Sequence, residues 1–242
     1  NAKINAAGSA SNLRLVVTGT LATGFKAKVN GDVTAGAITD AGGGQSVFGG
    51  SLTTTTGAIN LAFKTTVAGS ITTGSGAVVI DNEGVVSGSI ASTSGPVTLK
   101  FKSEVAGSVN TAGTVTLQDQ VTVTGSVVGG TGNISMGFKS EVAGSVVSTS
   151  GTITLANEAV VGACLKSSNS AALTLGFHAT VAAVCCGATC GNSCVVNNTG
   201  YSMPPACTSQ IIAEYRMDEA SWNGTVGEVK DSSGNGAHGT AK

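Results

Sequence analysis

The chain has 242 residues, of which 36 are glycine and only 10% are charged, with a formal net charge of −1. There is no basic cluster, and at 4% aromatic residues there is little to stack on bases, which argues against nucleic acid as a partner. No apolar run approaches the roughly 18 residues of a membrane-spanning helix, so no membrane span is expected.

Residues 1–24 hold the strand-like stretch Leu13-Arg14-Leu15-Val16-Val17 and an isolated glycine-centred motif at Gly19. The interval from Gly19 to Gly31 is 12 residues, too short for the repeat that follows, so an irregular N-terminal coil or cap is expected here. The first residue is Asn1 and not Met, which predicts a processed start with any leader already removed.

From residue 25 the sequence is periodic. An apolar-x-Gly-x-apolar core recurs at Gly31, Gly50, Gly69, Gly88, Gly107, Gly125, Gly144 and Gly162, in steps of 18 or 19. Two residues before these glycines stand Val29, Phe48, Val67, Val86, Val105, Val123, Val142 and Val160, and two after stand Val33, Leu52, Ile71, Ile90, Val109, Val127, Val146 and Cys164. A further apolar pair, such as Val97 with Leu99 or Ile153 with Leu155, follows a second glycine column at Gly57, Gly76, Gly95, Gly113, Gly132 and Gly151. Apolar residues in alternation mark strands with one buried face, and self-similarity at a fixed period marks stacked repeats. β-Branched residues and glycine fill every window, which excludes helix. A sandwich or an up-and-down barrel would not hold such a phase. The expected fold is therefore all-β, a triangular parallel β-solenoid of about 19 residues per coil over residues 25–184. Right-handed winding is expected from the handedness of parallel crossovers.

A doubled period of about 38 residues overlies the coil. Six residues before the glycine, Phe25, Phe63, Phe101 and Phe138 alternate with Gly44, Asn82, Asp119 and Ala156, and Phe177 continues the series. These rings are expected to be core aromatics, each spreading over two coil heights. The next column reads Lys26, Gln45, Lys64, Glu83, Lys102, Gln120, Lys139 and Asn157. Such a polar ladder keeps like charges two coils apart and gives each ammonium a neighbouring acceptor. A basic strip for an anionic glycan is the alternative, weakened by Glu104 and Glu141 close by.

The threonine pairs Thr114 with Thr116 and Thr152 with Thr154 are interrupted by Ala58 with Asn60 and Ala77 with Val79, so an ice-binding ladder is not expected. Cysteines gather toward the end of the repeats: Cys164, Cys185, Cys186, Cys190, Cys194 and Cys207. An even number in a weakly charged, Ser/Thr-rich chain suits a secreted protein and up to three disulfides, with connectivity open. Cys164, expected in an inward column, has Cys185 or Cys186 as a candidate partner one coil on. A zinc knot in CCGATCGNSC is the rival, although its spacings differ from common zinc sites and His178 is the only nearby imidazole. Residues 185–210 thus read as a Cys-rich cap and linker, with Tyr201-Ser202-Met203-Pro204-Pro205 extended.

Residues 211–240, IIAEYRMDEASWNGTVGEVKDSSGNGAHGT, differ in composition. This stretch resembles the opening of a LamG-like, concanavalin A-like jelly roll, in particular that of MshQ-like proteins of the mannose-sensitive haemagglutinin pilus cluster. The resemblance implies a surface location in a Gram-negative bacterium and an incomplete jelly roll over 211–242, or a tail exchanged with another chain. Carbohydrate or calcium binding does not carry over to Asp231 and Asn235.

With two histidines, Arg14 and Arg216 as the only arginines, and no recurring acid pair, neither catalysis nor a cofactor is expected. The expected role is a non-enzymatic extracellular stalk or self-assembling fibre subunit, a homo-oligomer by end-to-end stacking. The alternative is a pilus-associated adhesin that binds glycan through its outer face or C-terminal module.

Overall fold

The computed structural model describes residues 3–4, 13–167, 173–186 and 196–198. The chain partitions into two units, 1–204 and 205–242. The jelly-roll resemblance, and with it Cys207, falls in the second unit and lies outside the described residues, as do Cys190 and Cys194.

The described residues are all-β, and their strands pair in parallel as a β-solenoid. Each coil contributes to three ladders. The first carries two-residue strands such as Thr66–Val67, Val85–Val86 and Glu104–Val105. The second carries Ile71–Thr73, Ile90–Ser92 and Val109–Thr111, and the third Val78–Ile80, Val97–Leu99 and Val115–Leu117. Register is regular through the body: Val86 lies opposite Val67 and Val105, Ile90 opposite Ile71 and Val109, and Leu99 opposite Ile80 and Leu117. Because side chains alternate across a strand, every second residue points into a core formed almost wholly of Val, Ile and Leu.

The two glycine columns are explained by coil spacing. A Cβ on Gly88 would meet Ser70 Oγ and the backbone of Gly69, and Gly88 N–H already donates to the Gly69 carbonyl at 3.1 Å. A Cβ on Gly95 would strike the Gly76 carbonyl. Both columns are needed for close backbone approach. Among the described glycines only Gly43 and Gly44 have positive φ.

Beside the first glycine column runs a serine ladder. The Oγ of Ser51, Ser70, Ser89, Ser108 and Ser126 each accepts the N–H of the serine one coil on, at 3.0–3.1 Å. The corner between the second and third ladders is lined by buried hydroxyls that bond to glycine backbone, as when Gly95 N–H donates to Ser92 Oγ at 2.9 Å and Thr111 Oγ1 donates to the Gly95 carbonyl at 2.7 Å. Among the described residues every buried side-chain polar atom has a partner.

Toward both ends the ladders lose the regularity of the body. Arg14–Thr23 pairs with Asp32–Asp40 from Arg14↔Asp32 onward, interrupted by a bulge between Val17 and Thr20. Gly19 lies near that irregularity and anchors no coil. Toward the C-terminus, Thr180–Cys186 and Val196–Asn198 extend the ladders, pairing with Val160–Ser167 and Leu173–Leu175. Coil structure thus continues into the stretch expected to be a Cys-rich cap.

The phase in the eighth repeat also needs correction. Val142 pairs with Val161 and Val146 with Leu165, so Val161 and Leu165 point inward, while Val160 and Cys164 are half-buried. Gly162 imitates the anchor, yet Ala163 occupies its place and donates to the Gly144 carbonyl at 3.2 Å. Consecutive valines at 160 and 161 satisfy either phase, so the apolar pattern did not decide between them. Ala183 lies opposite Cys164, whereas Cys185 and Cys186 lie opposite Lys166 and Ser167.

Candidate functional site: a ring-and-cation stripe along one corner

The corner joining the third ladder to the first is a tight turn in each coil, closed in most by an N–H to carbonyl bond across four residues, such as Ala27 to Gly24 at 3.1 Å and Ser103 to Lys100 at 3.0 Å. The third residue of the turn has positive φ, between 54° and 59°, in Lys26, Gln45, Lys64, Glu83, Lys102, Gln120, Lys139, Glu158 and His178. These are all the non-glycine positive-φ residues among those described. A left-handed residue with a Cβ costs about 1–2 kcal/mol. The cost is offset by coil stacking, because its N–H donates to the carbonyl of the next coil: Gln45 to Phe63 at 2.7 Å, Lys64 to Asn82 at 3.0 Å, Gln120 to Phe138 at 2.8 Å and Glu158 to Phe177 at 2.9 Å. None of these residues is β-branched, in keeping with the steric demand of that region.

The polar ladder of the sequence therefore exists as this corner, with one correction. Glu158 stands where Asn157 was expected, the result of the same one-residue phase error. Asn157, not Ala156, shares the column with the phenylalanines, and its Oδ1 accepts the N–H of Phe177 at 2.9 Å, as Asp119 Oδ1 accepts that of Phe138 at 2.8 Å. Lys64 pairs with Glu83 at 3.2 Å and Lys139 with Glu158 at 3.4 Å, each one coil apart. Lys100 pairs with Asp81 at 3.2 Å on the adjoining surface.

The expectation of core aromatics at Phe25, Phe63, Phe101, Phe138 and Phe177 is overturned. These rings are exposed, between 36% and 51% of their surface, and Phe48 is the one buried phenylalanine. The reason lies in the turn. The second turn residue points outward, and the inward place belongs to small residues that follow it, among them Ala27, Ser46, Thr65, Ser103, Ser140 and Ala159. A ring would not fit there. Instead each exposed ring is covered by the side chain that follows it in sequence. Lys26, Lys64, Lys102 and Lys139 place Nζ 4.9, 5.0, 5.1 and 5.0 Å from the centroids of Phe25, Phe63, Phe101 and Phe138, within cation–π range. His178 stacks on Phe177 with centroids 3.7 Å apart.

Beside Phe101 lies an open recess of about 430 Å³, walled by the ring, Thr116, Gln118, Asp119, Ser135 and Gly137.

A second polar cluster escaped the sequence reading. Asp40 is buried and accepts hydrogen bonds from Thr23 Oγ1 and Ser46 Oγ, each at 3.1 Å, and from Thr65 Oγ1. It ends the strand whose Ile38 pairs with Ile59, so it sits in the inward column later filled by Leu61 and Ile80. A lone acid in a column of aliphatic residues was its only sequence signal. Every hydroxyl around it already donates to it, which is the arrangement of a structural plug near the first complete coil. Compared with protein-family models, curated proteins and solved structures, the chain matches none.

Proposed function

We propose that this chain is a non-enzymatic extracellular structural protein, a solenoid stalk or fibre subunit of a Gram-negative cell surface that extends by end-to-end stacking of coils. The observation that carries this reading is the three-ladder parallel body, regular through at least nine corner turns from Lys26 to His178. In such a body every ladder hydrogen bond runs along the axis, so a terminal coil presents a row of backbone donors and acceptors to a like end. The charged side chains fit the same role, since Lys64, Lys100 and Lys139 pair with acids of neighbouring coils. Pilus components are the partners suggested by the C-terminal resemblance.

A second reading, an adhesin that grips glycan through its outer face, is favoured by one observation: the exposed line of rings at a corner. Negative-stain electron microscopy of the non-reduced chain across a concentration series, with light scattering alongside, tests the first reading. Fibres one solenoid wide that lengthen with concentration support it. Short rods of constant length at every concentration refute assembly.

A further inference from the structure

We propose that the corner stripe is a binding track for a neutral, extended β-linked polysaccharide, gripped by the exposed rings of Phe101 and Phe138 and the polar recess beside Phe101. The inference rests on the second of the two readings above and specifies its site and ligand class.

Three features of the corner carry it. The first is spacing. The rings stand on alternate coils, so successive rings are about 9.6 Å apart, twice the strand spacing of about 4.8 Å. In a straight β-linked chain of pyranoses successive sugars are flipped, and the same face returns after one disaccharide, a length that matches the interval between rings. A track of matched platforms would present each ring to an equivalent sugar along the whole corner. Helical α-linked chains do not keep such a line.

The second feature is the chemistry of the platforms and of the gaps. The apolar C–H face of a pyranose stacks on an aromatic ring, and here Phe101, with Lys102 Nζ over its ring at 5.1 Å, also forms a wall of the open recess. The sugar that falls between two platforms meets the recess of about 430 Å³, where Thr116, Ser135, Gln118 and Asp119 offer hydroxyl, amide and carboxylate groups. An apolar wall with a few convergent polar groups is the usual form of a small-molecule site. Beyond the recess the neighbouring coils continue it with Thr98 and Thr154, which lie in register with Thr116 and Ser135 on the outer side of the third ladder.

The third feature is charge. Of the four lysines along the corner, Lys64 and Lys139 are compensated by Glu83 and Glu158, and Asp119 lies in the recess one coil from Lys102, so the charge along the track is mixed in sign and does not favour a polyanion. A neutral chain loses nothing there.

The test is affinity electrophoresis and calorimetry of the full chain with soluble β-1,4-linked glucan and N-acetylglucosamine oligomers of increasing length, with amylose as the α-linked control. Because each ring adds a tethered contact, affinity is expected to rise at least about tenfold once an oligomer is long enough to reach a second ring. The variant F101A/F138A should lose at least about tenfold in affinity, with an unchanged circular dichroism spectrum. F101W/F138W, which keeps a platform at each position, should retain binding. Failure of every β-linked oligomer to bind the wild type overturns the proposal. Binding that F101A/F138A leaves intact also overturns it and places the glycan elsewhere, leaving the adhesin reading standing. Loss of self-association in F101A/F138A, without any glycan dependence, reassigns the stripe as a contact between copies.

Discussion

Substituting alanine for Gly95 isolates the packing of backbone against backbone that sets the coil height. The new methyl group would strike the Gly76 carbonyl one coil below, and neither backbone can turn aside as a flexible side chain would. Relief requires the corner to lift. Lifting breaks the bond from Gly95 N–H to Ser92 Oγ at 2.9 Å, that from Thr111 Oγ1 to the Gly95 carbonyl at 2.7 Å, and that from Ser94 N–H to the Gly74 carbonyl at 3.0 Å. Ser92 and Thr111 are buried, so no water replaces the lost partners. At about 1 kcal/mol for each net bond the loss is about 2–4 kcal/mol once residual desolvation is included. Gly19 supplies the control. A Cβ there meets nothing within 4 Å, and Gly19→Ala should be neutral or stabilise by up to about 1 kcal/mol through the unfolded chain. Urea denaturation followed by circular dichroism, with limited proteolysis to locate the opening, measures both. Equal midpoints for Gly95→Ala and Gly19→Ala would refute the close-approach explanation of the glycine columns.

The left-handed corner makes a second prediction. Gln120→Gly should leave stability unchanged or raise it by up to about 1 kcal/mol, while Gln120→Val should lower it by about 1–2 kcal/mol, since branching at Cβ aggravates a positive φ; thermal melts of the pair check the order. Asp40→Ala leaves the hydroxyls of Thr23 and Thr65 without this acceptor, while Ser46 Oγ keeps the Gly24 carbonyl, and should cost about 2–4 kcal/mol, read by urea titration. Glu83→Gln breaks an exposed pair with Lys64 and should cost no more than about 1 kcal/mol, with added salt changing the wild-type midpoint little. Ser108→Ala removes the acceptor of the Ser126 N–H and should destabilise by about 1–2 kcal/mol, with faster amide exchange at Ser126.

The coil was legible because each inward column admits few residue types: Val67, Val86, Val105 and Val123 repeat in sequence what they share in space. Corner chemistry was less legible. A column of Lys, Gln and Glu reads equally well as a solvated strand, and positive φ in such residues leaves no compositional mark, unlike the glycine that usually occupies the position. The phenylalanines misled for a related reason. Hydrophobicity at a fixed period suggests burial, but whether a turn residue points in or out depends on the turn, and here Ser103 and Ser140 take the inward place beside Phe101 and Phe138. The phase slip at Val160, Val161 and Gly162 has a local cause, two valines and a glycine that satisfy either register until the ladder from Val142 and Val146 fixes one. The recess beside Phe101 gathers residues from three successive coils, which adjacency in sequence does not reveal.

The in-register stack of coils underlies every one of these arguments, and spin-label distances test it most directly. Thr34, Thr53, Thr72, Ala91, Asn110, Val128 and Val147 form one column on the second ladder. With one label at Thr34 and the other at Asn110, Val128 or Val147 in turn, double electron–electron resonance should give distances near 19, 24 and 29 Å, an increment of about 4.8 Å for each coil. Distances that fail to grow in equal steps would contradict the solenoid register, and with it the ring spacing and the corner stripe.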